Sequence, residues 1–245
     1  MLAVVTTVGC ASSAVNESGG GSTSTAPAER RSTEDAATTG LDPARSRSLA
    51  SSLIDAAEGG DATAVRDLLS AGADVTSTES DGATALVRAA YGNHVDVAEL
   101  LIGAGADVNH KDDTEQSAYL IATSNGFVEL LDLTLAHGAD VRSLDSYRGT
   151  GLIRAADRGH VAIVEHLLRT EINVDHVNRL GWTALLEAII LGSGDERHTA
   201  VVRLLVDHHA DVNLADRDRT TPLAHATRKH QQAIIDILIA AGAKA

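Results

Sequence analysis

The stretch DGATALVRAAYGNHVDVAELLIGAGADVNHKDD, Asp81–Asp113, decides the fold of this chain because its landmarks recur at a fixed spacing. Its Gly105-Ala106-Asp107 segment returns 33 residues later as Gly138-Ala139-Asp140 and stands 33 residues earlier as Gly72-Ala73-Asp74. A fixed period of this length is typical of proteins built from stacked repeats. The sequence therefore predicts a repeat array.

Each repeat is predicted to contain a helix, a tight turn, a second helix and an extended excursion, here called the finger, that leads to the next repeat. Thr84 is a suitable N-cap for a first helix, and Gly92-Asn93-His94 breaks that helix. Val95, Ala98 and Leu101 then recur at helical spacing and give the second helix a buried stripe. The same landmarks divide the domain 48–245 into six units, approximately 48–80, 81–113, 114–146, 147–179, 180–217 and 218–245.

The composition favours an all-α fold. Hydrophobic residues make up 44% of the 245 residues, but aromatic residues only 2%. Helices packed closely side by side suit such a core, whereas a sandwich or barrel would use more aromatic and β-branched strand residues. The net charge of −14 repels phosphate backbones, so we expect no nucleic-acid binding and a basic or neutral protein partner instead.

The repeats resemble those of the ankyrin-repeat family over about 200 residues of the chain. The matching motifs are Gly-x-Thr-Ala-Leu at 82–86 and 181–185, Thr-Pro-Leu at 221–223, Gly-His at 159–160 and Gly-Ala-Asp-Val-Asn at 105–109. The resemblance implies a solenoid of about six helix-turn-helix units with short hairpin fingers. The chain departs from the pattern at Glu115 and Tyr119, which replace the usual Gly and Leu. Five extra residues around 191–196 predict a longer, mobile loop in the fifth unit.

The resemblance also implies that a protein partner binds along a concave face made from finger tips and first helices. The positions that carry over are Asp81, Ala83, Thr114, Gln116, Tyr147, Arg179, Leu180, Trp182, Arg217 and Asp218. Tyr147 and Leu180 are 33 residues apart and should be neighbours on adjacent fingers, with Trp182 beside them. Such an aromatic and aliphatic cluster is typical of binding hot spots. The alternative is that Trp182 only braces the stack.

The apolar residues 1–10 end in the lone cysteine, Cys10. This arrangement resembles the processing site of bacterial lipoproteins, which implies a lipidated Cys10 and a membrane-anchored protein outside the cytoplasm. No basic segment precedes the run, and Thr7 stands where Leu is usual. A true start upstream of Met1 and a cytoplasmic location therefore remain open alternatives. Residues 11–47, rich in Ser, Thr, Gly and Ala, are predicted to form a disordered tether.

The histidines and recurrent carboxylates predict structural roles. His94 and His160 occupy equivalent turn positions, and the resemblance implies that they bond the turn's backbone. His208-His209 end a helix, where imidazoles interact with the last carbonyls, and no further ligands stand at metal-site spacing. The chain contains no Gly-rich phosphate loop, nucleophile elbow or Cys-x-x-Cys. We therefore expect no metal, no cofactor and no catalysis. Turn chemistry explains the recurrence of Asp74, Asp107, Asp140 and Asp211.

These features predict a non-enzymatic, monomeric scaffold that binds a protein partner through its concave face. The alternative is an accessory or regulatory subunit that positions or inhibits an enzyme in the cell envelope. A third hypothesis, from a different class, is a hydrolase-like enzyme that uses Asp195, Glu196 and His198 of the 191–198 loop.

Overall fold

Six pairs of helices make up the computed structural model, which describes residues 42–244. The bounds are α1 Pro43–Glu58, α2 Ala62–Ser70, α3 Ala85–Tyr91, α4 Val95–Gly103, α5 Ala118–Asn125, α6 Val128–Ala136, α7 Gly151–Asp157, α8 Val161–Leu168, α9 Ala184–Ile190, α10 Glu196–Asp207, α11 Pro222–Arg228 and α12 Gln232–Ala240. No helix in this part of the chain combines the length and apolarity needed to cross a bilayer. Cys10, the segment 1–10 and nearly all of the predicted tether 11–47 lie outside the described residues, so the predictions made there remain predictions.

The helices stack in two layers. The first helices pack in the order α1, α3, α5, α7, α9 and α11, and the second helices in the order α2, α4, α6, α8, α10 and α12. Each unit contacts its neighbours in the stack, which is the arrangement that a fixed repeat period requires. The predicted all-α solenoid of six helix-turn-helix units is confirmed.

Small residues allow the first helices to approach one another closely. Ala89 and Ala90 of α3, and Ala155 and Ala156 of α7, are fully buried between neighbouring helices. The second helices contribute larger side chains to the same core, among them Leu101, which is also fully buried. Alanine and leucine therefore fill this core without the aromatic residues that the composition lacks.

Hydroxyl side chains start five of the first helices. Each hydroxyl accepts a hydrogen bond from the backbone N–H three residues further on, which satisfies a donor that has no partner inside the helix. These N-caps are Thr84, Ser117, Thr150, Thr183 and Thr221.

We expect Thr183→Ala to lower the free energy of unfolding by about 1 kcal/mol, because it leaves the buried Leu186 N–H without its 3.3 Å bond to Thr183 Oγ1. Urea unfolding measures this change, and Thr183→Ser, which keeps the hydroxyl, is the matched control. Equal losses for both variants would show that the methyl group, rather than the cap, is what matters.

The fingers are shaped by local turns and joined to one another. Asp107 accepts a 2.9 Å bond from the N–H of Asn109, and the same turn recurs at Asp74, Asp140 and Asp211, as predicted. The N–H of Arg179 donates a 2.8 Å bond to the carbonyl of Tyr147 on the preceding finger. Within residues 42–244 the fingers hold isolated bridges, such as Leu144 with Thr150, rather than extended strands.

The array begins earlier than predicted. Helix α1 starts at Pro43, not at residue 48, and Asp42 caps it by accepting a bond from the N–H of Ala44. Proline is well tolerated in the first turn of a helix because its missing N–H would have no partner there. The last five residues of the predicted tether therefore belong to the folded array.

The five extra residues of the fifth unit lengthen a helix as well as a loop. The connection from α9 to α10 has five residues, against three between α7 and α8, and α10 has 12 residues where α4 has nine. The loop is also held in place. Lys229 Nζ donates to the carbonyls of Ile190 and Gly192, at 2.6 and 2.8 Å, and Gln231 Nε2 also donates to the carbonyl of Gly192. The prediction of a mobile loop is therefore corrected, because unit six supplies donors for its carbonyls.

Tyr119 is accommodated by a glycine in the next unit. Its ring is fully buried, and a Cβ placed on Gly151 would lie 2.7 Å from the Tyr119 hydroxyl and 2.8 Å from Thr123 Cγ2. The hydroxyl has no hydrogen-bond partner among residues 42–244, and burial raises the pKa of the Tyr119 phenol. A tyrosine is therefore tolerated at residue 119, where leucine is usual, because residue 151 is a glycine, where other units have alanine or proline.

Candidate functional site

Two exposed large apolar side chains lie next to each other on the fingers of units four and five. Tyr147 is 56% exposed and Leu180 is 44% exposed. They lie on adjacent fingers joined by the bond between Arg179 N and Tyr147 O, as the 33-residue period predicts. Both side chains border one groove, and the exposed Leu191, at the end of α9, borders it too.

This groove, here called the 4–5 groove, runs between fingers and first helices and has a volume of about 310 Å³. The fingers and α7 and α9 contribute both apolar and charged groups to its walls. The lining residues are Asp145, Tyr147, Gly149, Ile153, Arg154, Asp157, Asn178, Leu180, Glu187 and Leu191. A concave site of this kind, apolar with a few convergent polar groups, is a common form of binding site.

One ion pair in the groove joins Asp145 to Arg154. The buried Asp145 carboxylate accepts bonds from the N–H groups of Tyr147 and Gly149, at 2.8 and 2.7 Å. It also lies 3.4 Å from Arg154 Nε. Asp145 therefore serves the finger turn, and the charge of Arg154 offsets its own.

Glu187 is the unusual member of the groove. Its side chain belongs to α9, is 5% exposed and accepts one bond, of 2.7 Å, from Asn178 Nδ2. Burial and the nearby charge of Asp157 raise the pKa of Glu187 to about 7. The charge of Arg154 opposes this rise, and among residues 42–244 Asn178 is the one donor to the side chain, so Glu187 has capacity to accept a further bond.

The equivalent positions in other units show what Glu187 replaces. In unit two Arg88 pairs with Glu79 at 2.6 Å, and in unit six His225 pairs with Asp216 at 2.7 Å. The finger residue is acidic and the helix residue basic in both pairs. Unit five departs from this pattern, because the helix residue Glu187 is acidic and the finger residue Asn178 is neutral. Glu187 was not predicted from the sequence, although the two residues stand nine apart in the chain, as the members of the other pairs do.

The structure separates the predicted partner-binding residues by exposure. Tyr147, Leu180, Arg179, Arg217 and Asp218 are exposed, whereas Trp182 is half-buried and does not line the 4–5 groove. The three charged residues also lie outside the walls of that groove. The predicted face is therefore present, but only Tyr147 and Leu180 of the predicted set border the groove.

Three other predicted residues are engaged within their own finger. The Asp81 carboxylate accepts a 2.7 Å bond from Arg88, and its pKa is lowered mainly by the N–H of Ala83. Thr114 and Gln116 are both tied to the buried Asp112, whose Oδ1 accepts from their N–H groups at 2.9 Å.

Ala83 was predicted as a partner contact and this prediction is wrong. Its exposure is 0% because the residue between the turn glycine and the capping threonine points into the stack. Trp182 occupies the same repeat position and is half-buried there. Ala83 is thus part of the core.

The histidines at the turns link each unit to the one before it. His94 Nε2 lies 3.0 Å from the carbonyl of Glu58, and His160 Nε2 lies 3.1 Å from that of Ser124. His198 makes the same contact with the Asp157 carbonyl, at 3.1 Å. The predicted structural role of His94 and His160 is borne out, and His198 joins them.

The contacts of His198 weigh against the hydrolase hypothesis. Its Nδ1 lies 2.9 Å from Asp195 Oδ1, and the same carboxylate oxygen caps α10 through the N–H of His198. Both ring nitrogens are therefore committed to holding the helix and its neighbour. Farther along, His208 Nδ1 contacts the Leu204 carbonyl at 2.9 Å, as predicted for a helix end. Between residues 42 and 244 no three His, Cys, Asp or Glu side chains are grouped as a metal site.

Comparison with known proteins gives the same result for the repeats. A family model for ankyrin repeats matches the chain in three overlapping copies, at residues 53–145, 119–216 and 152–245. The chain is also 47% identical, over 79 residues, to the ankyrin repeat protein YahD of Escherichia coli (strain K12). That match covers 32% of this chain and 39% of YahD, so it spans well under two thirds of that relative.

Solved structures extend the comparison to most of the array. An ankyrin repeat domain from Acinetobacter baumannii AYE is 46% identical and superimposes with a TM-score of 0.76, covering 78% of this chain and 98% of that one. The ankyrin repeat protein EF0377 is 32% identical with a TM-score of 0.74, covering 78% and 97%. The ankyrin repeat domain of human ASB11 is 27% identical with a TM-score of 0.67, covering 78% and 84%. Since the family model spans residues 53–245, the chain belongs to the ankyrin-repeat family.

Proposed function

We propose that the protein is a non-enzymatic scaffold that binds a protein partner along its fingers and first helices, with the 4–5 groove as the main contact. Ankyrin repeats are commonly protein–protein interaction modules. The observation that carries the proposal is the convergence of Tyr147, Leu180 and Leu191 on one concavity. Single exposed apolar residues are ordinary, but a cluster around a groove is typical of a binding site.

The scaffold's rigidity supports the same role. The finger that carries Tyr147 is joined to the next finger by a backbone bond and is fixed from below by Asp145. A partner that binds these fingers would therefore lose little free energy in ordering them, because the binding residues are already held in place.

The experiment compares capture of proteins from host-cell extract by the full chain and by its Tyr147→Ser/Leu180→Ser variant. We expect a protein that the parent retains and the folded variant loses, with binding weakened about tenfold or more because two central apolar contacts are removed. Ile239→Ser is the matched control, since Ile239 is equally exposed but lies on α12, away from the groove. Equal capture by all three proteins would move the contact elsewhere. A separate Trp182→Ala variant tests whether that half-buried ring contributes.

The accessory or regulatory subunit is the related alternative, and the same surface would then contact an enzyme. The identity of the captured partner distinguishes the two proposals. If the partner has a catalytic activity, adding the parent chain, but not the groove variant, should change that activity. If the partner's activity is unaffected, the regulatory proposal is wrong and the scaffold proposal stands.

We further propose that Cys10 carries a lipid that anchors the array outside the cytoplasm of a bacterium. The support is the apolar run that ends at this lone cysteine. Metabolic labelling with a radioactive fatty acid in a bacterial host, followed by membrane fractionation, tests it. The parent should be labelled and found with membranes, and Cys10→Ser should be unlabelled. An unlabelled parent that stays in the cytoplasmic fraction would contradict the anchor.

A further inference from the structure

The floor of the 4–5 groove carries more negative charge than its own cations offset. Arg154 is directed at Asp145, 3.4 Å away. Asp157 also lines the groove, and its carboxylate has no ion pair or hydrogen bond with any residue in the 42–244 range. Glu187 completes the set. Three carboxylates of the groove walls therefore share one lining cation, Arg154, whose ion pair is with Asp145 and whose charge also favours ionised Glu187.

The hydrogen bonds of Glu187 indicate where a partner's donor would bind. Its side chain is more than nine-tenths buried, yet only one of its oxygens accepts a hydrogen bond from the described residues, the one facing Asn178. The raised pKa of Glu187 has the same physical origin, since burial and Asp157 oppose its ionisation. The second oxygen is not sealed from solvent, so it can accept a bond in the groove, where a partner's donor would take the place of water.

The apolar rim limits what kind of cation fits. Tyr147, Leu180 and Leu191 surround the opening and would stay partly exposed around a small, hydrated ion. An arginine or lysine side chain places its methylene stem on such residues and its charged head deeper. The Tyr147 ring offers a further contact for a cation.

We propose that the 4–5 groove receives an arginine or lysine side chain of the partner, flanked by apolar residues, and that Asp157 and Glu187 bind its charged head. This assignment rests on the proposed scaffold function and specifies the chemistry of the partner. Among the described arginines, Arg154 is the one that lines the groove, and it is paired with Asp145 at 3.4 Å, whereas Arg148 and Arg179 lie outside the walls.

The test uses a displayed library of short random peptides. Peptides are selected on the full chain and counter-selected on Tyr147→Ser/Leu180→Ser, which keeps only those that need the rim. We expect the enriched peptides to share an arginine or lysine next to an apolar residue. Synthetic copies are then titrated by fluorescence anisotropy against the parent, Glu187→Gln, Asp157→Asn and the double variant.

The expected result is a loss of affinity of about tenfold or more for the double variant, because a desolvated charge pair is removed from the complex. Glu99→Gln, which removes one charge as each single variant does but at an exposed site on α4, should alter affinity by less than about twofold, as distant surface charges are screened. Replacing the peptide's basic residue by glutamine should cost as much as the double variant. Asp157→Asn, at a half-exposed site, keeps the test valid if Glu187→Gln perturbs folding.

The outcomes separate this inference from the scaffold function. Peptides that need Tyr147 and Leu180 but bind the double variant as well as the parent would overturn the cationic assignment and leave the scaffold. If no peptide distinguished the parent from the rim variant, both would be overturned. Self-association abolished by Glu187→Gln would place a second copy of the chain in the groove, which would also overturn the assignment to a separate partner.

Discussion

Replacing Gly151 by alanine should lower the free energy of unfolding by about 3 kcal/mol, because the added methyl group overfills a packed core. The new carbon would lie 2.7 Å from the Tyr119 hydroxyl and 2.8 Å from Thr123 Cγ2. Both of those side chains are fully buried and have nowhere to move. Four other units have alanine or proline at this position without penalty, namely at Ala85, Ala118, Ala184 and Pro222.

The tyrosine is the cause, so changing it should rescue the variant. Tyr119→Leu alone leaves a cavity beside Gly151 and destabilises the array. The double variant Tyr119→Leu/Gly151→Ala restores the pair found elsewhere, such as Leu86 with Ala118. If the two substitutions acted independently, their losses of unfolding free energy would add. We expect the double variant to be more stable than that sum predicts, by about 1–3 kcal/mol in urea unfolding. Additive losses would show that the two residues do not share one space.

Removing the charge of Glu187 should make the protein more stable above neutral pH and leave it nearly unchanged near pH 4. The pKa of Glu187 is raised from 4.5 to about 7 in the folded chain, chiefly by burial. Between these two values the folded state holds a proton that the unfolded chain has released. Stability from this group is therefore present at low pH and is lost as the pH rises through that window, by roughly 3 kcal/mol in total.

The measurement is urea unfolding of the parent and Glu187→Gln at several pH values from acidic to mildly alkaline. Glutamine keeps the shape and can still accept the bond from Asn178, so the difference between the two proteins isolates the charge. Using a difference also cancels His160, whose pKa is lowered by burial and whose contribution to stability rises with pH. A pH-independent difference would show that the pKa of Glu187 is the same in the folded and unfolded states, as when Arg154 offsets the effect of burial.

The sequence predicted neighbours well where they occupy the same repeat position. Tyr147 and Leu180 are one period apart, and the structure places them on adjacent bonded fingers. Thr84 was predicted as an N-cap, and hydroxyls at the same repeat position cap four other first helices, because a cap depends only on the three residues that follow it. Glu115 and Arg148 keep the left-handed turn with φ of 63° and 58°, although the usual glycine is missing. Turns, caps and finger pairing were therefore predicted correctly even where the usual residue type is missing.

Burial was harder to predict than position. Ala83 and Trp182 share one repeat position, yet Ala83 is fully buried and Trp182 only half-buried, because side-chain size decides how far each reaches out of the stack. His198 was misassigned to a reactive loop for a different reason. His94 and His160 are separated by two repeat periods, but extra residues precede His198 in unit five. The fixed spacing therefore did not show that His198 occupies the same repeat position.

By itself the sequence determined the ankyrin fold, the number of units, the caps and the pairing of fingers, because each of these depends on residues within one repeat or on its fixed period. Only the tertiary structure brought Asp157 and Glu187 together on one groove floor and placed Gly151 where Tyr119 needs space. Those outcomes depend on what the neighbouring unit presents to each side chain, and a periodic pattern contains no information about how that local space is filled.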